Sequence, residues 1–183
     1  MKKSIFNSGI ILLSAILFAS CSSDSSNDTP STPLPSTENT WKMNDYNFSR
    51  RASIQTSTTY TNGKPFTQVN VDSNINNSNN TFKTCNVVFW FNTSLEGVYS
   101  VKSENTVASF DELNCMVISC SVSDGARHGA IYKSIDSDIT ATVTKVDGRF
   151  LVTVPNAITL TKTLDDGLPN APTTMTFKSN KVR

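Results

Sequence analysis

From Trp41 to the C-terminus, apolar and polar residues alternate with a period of two, in short runs broken by Gly, Pro, Asn and Asp. Successive side chains of an extended chain point to opposite faces, so the pattern predicts strands with one face turned to a core. The clearest case is Ile139, Ala141 and Val143 alternating with Thr140, Thr142 and Thr144, followed by Phe150, Val152 and Val154 beyond Asp147-Gly148. Asp-Gly favours the positive φ of a two-residue hairpin turn, so these runs are read as adjacent antiparallel strands. Ile158 and Leu160 beyond Pro155-Asn156, and Met175 and Phe177 beyond the loop at 165–169, extend the prediction to a four-stranded meander. One of its faces is apolar and the other, rich in Thr and Lys, faces water.

Two segments are apolar on both faces. In 82–92, Cys85, Val87, Phe89 and Phe91 are joined by Val88 and Trp90 of the opposite phase; in 113–122, Met116, Ile118, Cys120 and Val122 are joined by Cys115 and Val117. Strands of this kind lie between layers, so both are expected at the centre of the molecule, with Trp90 in the core. Further strands are predicted at 46–55, 66–73, 98–102 and 130–135, and one helical turn at 107–112. The fold class is all-β. About nine or ten antiparallel strands in one domain hide their faces by packing as a β-sandwich, the favoured arrangement, or by closing into an up-and-down, lipocalin-like barrel.

The N-terminal residues break this pattern. Lys2 and Lys3, an apolar run from Gly9 to Ala19 and small residues before Cys21 form the three parts of an export signal. The run is shorter than the roughly 20 apolar residues a spanning helix needs. Leu17-Phe18-Ala19-Ser20-Cys21 resembles the lipobox of bacterial lipoproteins, which implies cleavage by signal peptidase II and acylation of the Cys21 thiol. Several acyl chains hold a protein on a membrane stably, because each buried CH₂ contributes about 0.8 kcal/mol. Residues 1–20 are therefore read as a lipoprotein signal peptide and 21–39 as a flexible Ser/Asp/Pro-rich tether with almost nothing apolar to bury. Residues 40–183 are read as a single all-β domain.

Charge changes the picture only by exclusion. Without Lys2 and Lys3 the 16 basic residues fall to 14, against 15 acidic ones. That near balance, with no basic cluster, gives no electrostatic footprint for nucleic acid.

Setting Cys21 aside, three cysteines remain in an oxidising compartment. Cys115 and Cys120 on one strand would stand roughly 16 Å apart on opposite faces, so they cannot bridge. The candidate disulfide joins Cys85 to Cys115 or to Cys120; the rival reading is three buried free thiols acting as small apolar groups. His128 is the only histidine, so any Ser/His/Asp or Cys/His mechanism would run through the turn that holds Asp124 and His128. One His and three core-like Cys do not furnish a zinc site. Asp136, Asp138, Asp147, Asp165 and Asp166 lie in turns, where ordinary turn chemistry explains them as well as calcium does. Glu96, Glu104 and Glu112 are too scattered in sequence to be paired as glycosidase carboxylates. No catalytic residue, metal site or cofactor is assigned, and an enzyme is not expected. As ligand contacts, Trp41, Tyr46, Tyr60, Tyr99 and Tyr132 are the candidates, because they lie at strand ends or beside polar neighbours, where rings stack on sugars or line a pocket.

Several stretches together resemble the small, uncharacterised, flavobacterial-type envelope lipoproteins of Bacteroidota. They are the lipobox with Ser22, Ser23 and Asp24 behind it, the opening Trp41-Lys42-Met43-Asn44-Asp45, the run Glu96-Gly97-Val98-Tyr99-Ser100-Val101, and the hairpin about Asp147-Gly148. The resemblance implies an envelope β-sandwich anchored by lipid, in the outer membrane on its periplasmic face or at the cell surface; it carries no catalytic residue. The expected function is a non-enzymatic module that binds a glycan or another envelope ligand, or that serves a protein assembly. A lipocalin-like carrier of a small apolar molecule is the alternative, and a hydrolase stands third.

Overall fold

The computed structural model describes residues 37–59, 63–76 and 81–183. Alternation condenses there into β1 (Thr40–Met43), β2 (Tyr46–Thr59), β3 (Pro65–Ser73), β4 (Thr84–Phe91) and β5 (Gly97–Val101). The helix α1 (Glu104–Ser109) precedes β6 (Cys115–Ser123), β7 (Gly129–Ser134), β8 (Thr140–Val146), β9 (Arg149–Asp166) and β10 (Thr174–Val182). The signal peptide, Cys21, the tether up to residue 36, and Tyr60 lie outside the described residues.

All strands belong to one sheet, in the order β10-β1-β2-β3-β4-β6-β5-β8-β9-β7, and additional pairings of β9 with β10 and β6 with β7 fold it back on itself. Every ladder is antiparallel except the short β5–β6 contact. Phe89 on β4 and Phe177 on β10 meet at 6.0 Å across the core, so two layers face each other. β7 and the ribbon of β5 and β8 both connect β6 to β9, side by side, and the arrangement is sandwich-like rather than a clean barrel. Trp41, Tyr99, Tyr132, Phe89, Phe91, Phe177 and three methionines are fully buried and fill the space between layers. Burying each such side chain contributes about 1.5–3 kcal/mol, which is why the inward phase of every strand is apolar.

Local chemistry accounts for the boundaries. Asp147 and Gly148 take φ of 50° and 76° in the β8–β9 hairpin, as the Asp-Gly pair requires. The expected break at Pro155-Asn156 is absent: β9 runs through it, and the meander has three strands rather than four. Opposite these residues the register with β10 shifts between Phe177 and Ser179, so Pro155 sits at a bulge where its missing N–H costs no ladder bond. Ser179 Oγ accepts from Val154 N at 3.1 Å and helps close the gap. The helix begins earlier than predicted, because Ser103 caps it, accepting from Thr106 N, while Phe110 ends it in the left-handed region.

Cys85, Cys115 and Cys120 are all free, buried thiols. Cys115 packs with Val107 and Val117, away from the main core that holds the other two. Cys85 pairs across the β4–β6 ladder with Val122, and Cys120 with Val87, so the two cysteines are diagonal neighbours. Their thiols lie in hydrogen-bond contact with no disulfide joining them. Trp41 Nε1 instead donates to Cys85 Sγ at 3.2 Å. Burial, followed by the neighbouring Cys85, pushes the Cys120 thiol well up, which keeps it protonated.

Candidate functional site

The outward phase of the central strands is the part of the fold that does not look like solvent-facing polar sheet. Because Phe89 and Phe91 enter the core, Trp90 must point the other way. Register then sets Gln68 and Val117 on either side of Trp90, and Asn70, Val88, Ser119 and Lys133 in the next row. Phe66 meets Trp90 edge-on at 6.0 Å. Val107, Cys115 and Val117 form a small apolar seat against which the Trp90 ring packs, half-buried. Across the opening Glu104, from α1, pairs with Lys133 at 2.5 Å. Together these residues line an open groove of about 360 Å³.

The helix that supplies Glu104 and part of the seat is fixed by Asp136. Its Oδ1 accepts from Ser103 N at 2.7 Å and from Thr106 Oγ1 at 3.0 Å. Those donors, the Ser103 N–H first, hold the Asp136 carboxyl below its usual range.

Further along the same strands the face becomes polar. Asn86 Nδ2 donates to Asn70 Oδ1 at 2.6 Å and to Asp72 Oδ1 at 2.8 Å. Arg51 reaches Asp72 at 3.6 Å. Two further grooves, of about 350 and 220 Å³, share Asp72 and Asn86.

The aromatic residues singled out from the sequence mostly fall on the inward phase. Trp41, Tyr99 and Tyr132 are fully buried and are core residues, not ligand contacts. Their position at strand ends or beside polar neighbours, which singled them out, does not expose them, and their polar tips end on protein acceptors. Tyr99 Oη donates to Leu95 O at 2.6 Å, and Tyr132 Oη to Pro172 O at 2.9 Å. Burial first, then the charge of Asp165, pushes the Tyr132 hydroxyl up to about 12. Tyr46 is half-buried against Phe82, with ring centroids 4.5 Å apart, far along the chain register from Trp90. Trp90, expected in the core, is the aromatic residue on the groove, because no second layer covers the outer side of β4 at that point. A signal for this was present: Trp90 shares its phase with Asn86, and Phe66 with Gln68 and Asn70.

The other candidates do not assemble reactive chemistry. His128 Nδ1 lies 2.7 Å from Asp124 Oδ2, which is two members of a triad. Among the described residues, however, no serine hydroxyl hydrogen-bonds His128, and Ser123 Oγ is 2.7 Å from Thr84 Oγ1. Asp124 also accepts from Ala126 N at 2.8 Å; this bond and the one to His128 hold its carboxyl down at about 2. The pair thereby closes the β6–β7 turn. Glu96 accepts from Lys145 N, Glu104 pairs with Lys133, and Glu112 lies beside Cys115 Sγ, so the three glutamates serve separate local contacts. Asp165 is likewise held by Lys162 at 2.6 Å. Among the described residues no three His, Cys, Asp or Glu side chains converge as metal ligands, and no helix is long and apolar enough to cross a membrane.

What the arrangement offers is a flat ring on a rigid sheet, bordered by amides, hydroxyls and paired charges. Such a surface can stack on an apolar ligand face and hydrogen-bond its edges. Comparison with protein-family models, curated proteins and solved structures found no match to this chain.

Proposed function

We propose that the chain is a non-enzymatic envelope lipoprotein, anchored through acylated Cys21, whose β domain binds a glycan on the outer face of β3, β4, β6 and β7. The observation that carries this reading is the half-buried Trp90 over its apolar seat, with Gln68, Ser119 and the Glu104–Lys133 pair around it. A sugar ring presents an apolar CH face to an aromatic ring and hydroxyls to side chains at the edge, which matches this mixture of groups. The carrier alternative draws less support, since large side chains occupy the interior between the layers. Outer-membrane residence, on either face, follows from the lipobox and is part of the proposal.

Tryptophan emission tests the site directly, because Trp41 is fully buried and Trp90 is not. Titrating the mature protein with envelope polysaccharide should shift its emission, and Trp90→Phe should abolish the shift while leaving the thermal midpoint nearly unchanged. If no saccharide in a broad panel alters emission or retards the protein in affinity electrophoresis, the glycan reading fails. Replacing Cys21 with Ala should move the protein from the membrane to the soluble fraction; retention in the membrane fraction would remove the anchor assignment.

A further inference from the structure

Resting on the glycan reading above, we infer that the ligand is an uncharged, extended saccharide chain lying along the strands, rather than a single sugar seated on Trp90. The grooves are in line because the same three strands build them. On β4 the successive outward positions are Trp90, Val88, Asn86 and Thr84; on β6 they are Val117, Ser119, Ser121 and Ser123. The first pair on each strand lines the aromatic groove, and the second pair lines the polar one. Trp90 and Thr84 are six residues apart on an extended strand, or about 20 Å, which is several sugar rings.

Part of the hydrogen-bonding capacity along this path is fixed by bonds within the protein and part is unspent, although Thr84 and Ser123 at its far end bond to each other. Both Asn86 amide hydrogens are used on Asn70 and Asp72, which fixes the three side chains and leaves Asn86 Oδ1 as an acceptor and Asn70 Nδ2 as a donor. Among the described residues, the side chains of Gln68, Ser119 and Ser121 make no hydrogen bond within the protein. The Asn70, Asn86 and Asp72 groups, already fixed, lose little freedom on binding, so a chain of hydroxyls long enough to reach them gains affinity over a shorter one.

Charge selects the class of saccharide. Lys133 is paired with Glu104 and Arg51 with Asp72, so each end of the path carries one cation and one anion. A polyanion would find each cation already matched and would approach two carboxylates as well. An uncharged chain meets no such opposition.

The test is calorimetric titration of the full mature lipoprotein, in micelles of a detergent without a sugar headgroup. The probes are linear neutral gluco-, manno-, galacto- and xylo-oligosaccharides, from disaccharide to hexasaccharide, with uronic-acid chains of matched length. In the series that binds, affinity should rise with length; Trp90→Ala should remove binding at every length. Asn86→Ala should weaken the hexasaccharide about tenfold, equivalent to about 1.4 kcal/mol, and leave the disaccharide unchanged. Ser121→Arg, which fills the polar groove while keeping Asn70, Asp72 and Asn86 in the chain, should act in the same way and guards against a folding defect in the first variant. Equal affinity for short and long chains, or equal loss at every length in both polar variants, would overturn the extended site while leaving a glycan at Trp90. Uronic chains binding as tightly as neutral ones would overturn the uncharged class. Binding by no saccharide of any length removes the glycan reading itself.

Discussion

Gln55 replaces a missing rung between the two layers, and its removal should be felt. β1 covers only the start of β2, so the later part of β2 has one edge without a strand partner. There the Gln55 side chain donates from Nε2 to Phe150 O at 2.8 Å and accepts from Phe150 N at 2.8 Å, two bonds that imitate a ladder pair with the β8–β9 hairpin. Phe150 in turn packs edge-on against Phe91 at 5.6 Å, so the clasp fixes a core ring as well as an edge. Each neutral bond contributes about 0.5–1.5 kcal/mol, and the site is only partly buried, so Gln55→Ala should cost about 1–2 kcal/mol. With a urea slope of about 1–3 kcal/mol/M, the unfolding midpoint should fall by roughly 0.3–2 M with the slope unchanged. Gln55→Glu sharpens the test. Its carboxylate keeps the acceptor but faces Phe150 O without a donor, so the loss should be at least as large at neutral pH. Because the neighbouring carbonyl raises the folded-state pKa of that carboxyl, the stability should partly return as pH falls toward the ordinary glutamate value of about 4.3, and should change no further below it. A Gln55→Ala midpoint within about 0.1 M of wild type, or a Gln55→Glu deficit independent of pH, would refute the clasp.

Three further outcomes follow from the geometry. Asp124 has a folded-state pKa of about 2 against 3.8 ordinarily, so its stabilising contribution is complete above 3.8 and is lost as pH falls through 2. The stability difference between wild type and Asp124→Asn should therefore be flat at neutral pH and close toward pH 2; a constant gap across that window would contradict the assignment. Of Cys85, Cys115 and Cys120, none should react with a disulfide reagent in the native protein and all three should react when it is denatured without reductant; only one reacting would reveal a bridge. Gly148→Ala places a Cβ at φ of 76° and should destabilise the hairpin by about 1 kcal/mol, measured as a lowered thermal midpoint.

Much of the architecture was legible because alternation and turn chemistry act over a few residues. The Asp147-Gly148 hairpin, the β3, β5 and β7 segments and the burial of both faces along the start of β6 can be read from the chain. Facing was harder. Val88 and Trp90 are as apolar as their inward neighbours, and only the three-dimensional placement of a six-residue helix decides which apolar pair receives a cover. Cys115 and Val117 are covered by Val107, whereas Trp90 is left half open. Tyr99 and Tyr132 misled for a related reason: a hydroxyl that reaches a carbonyl at a strand end permits full burial, and the partners Leu95 and Pro172 are not predictable from local pattern. The run through Pro155 depended on a bulge supplied by a strand some twenty residues later, and the parallel contact of β5 with β6 has no local signal at all.

The first strand carries a mechanical consequence. β1 is hydrogen-bonded on both sides, to β2 and to β10, and its entrance is fastened by Asn39 N to Asn180 O at 3.0 Å and by the Glu38–Lys181 ion pair. Tension transmitted through the chain before Thr40, as when the molecule is anchored at one end and bound at the other, loads β1 along its own axis. Its rungs then share the force and must rupture together, in shear, rather than peel one at a time. An edge strand in the same place would have one ladder rather than two to share the load.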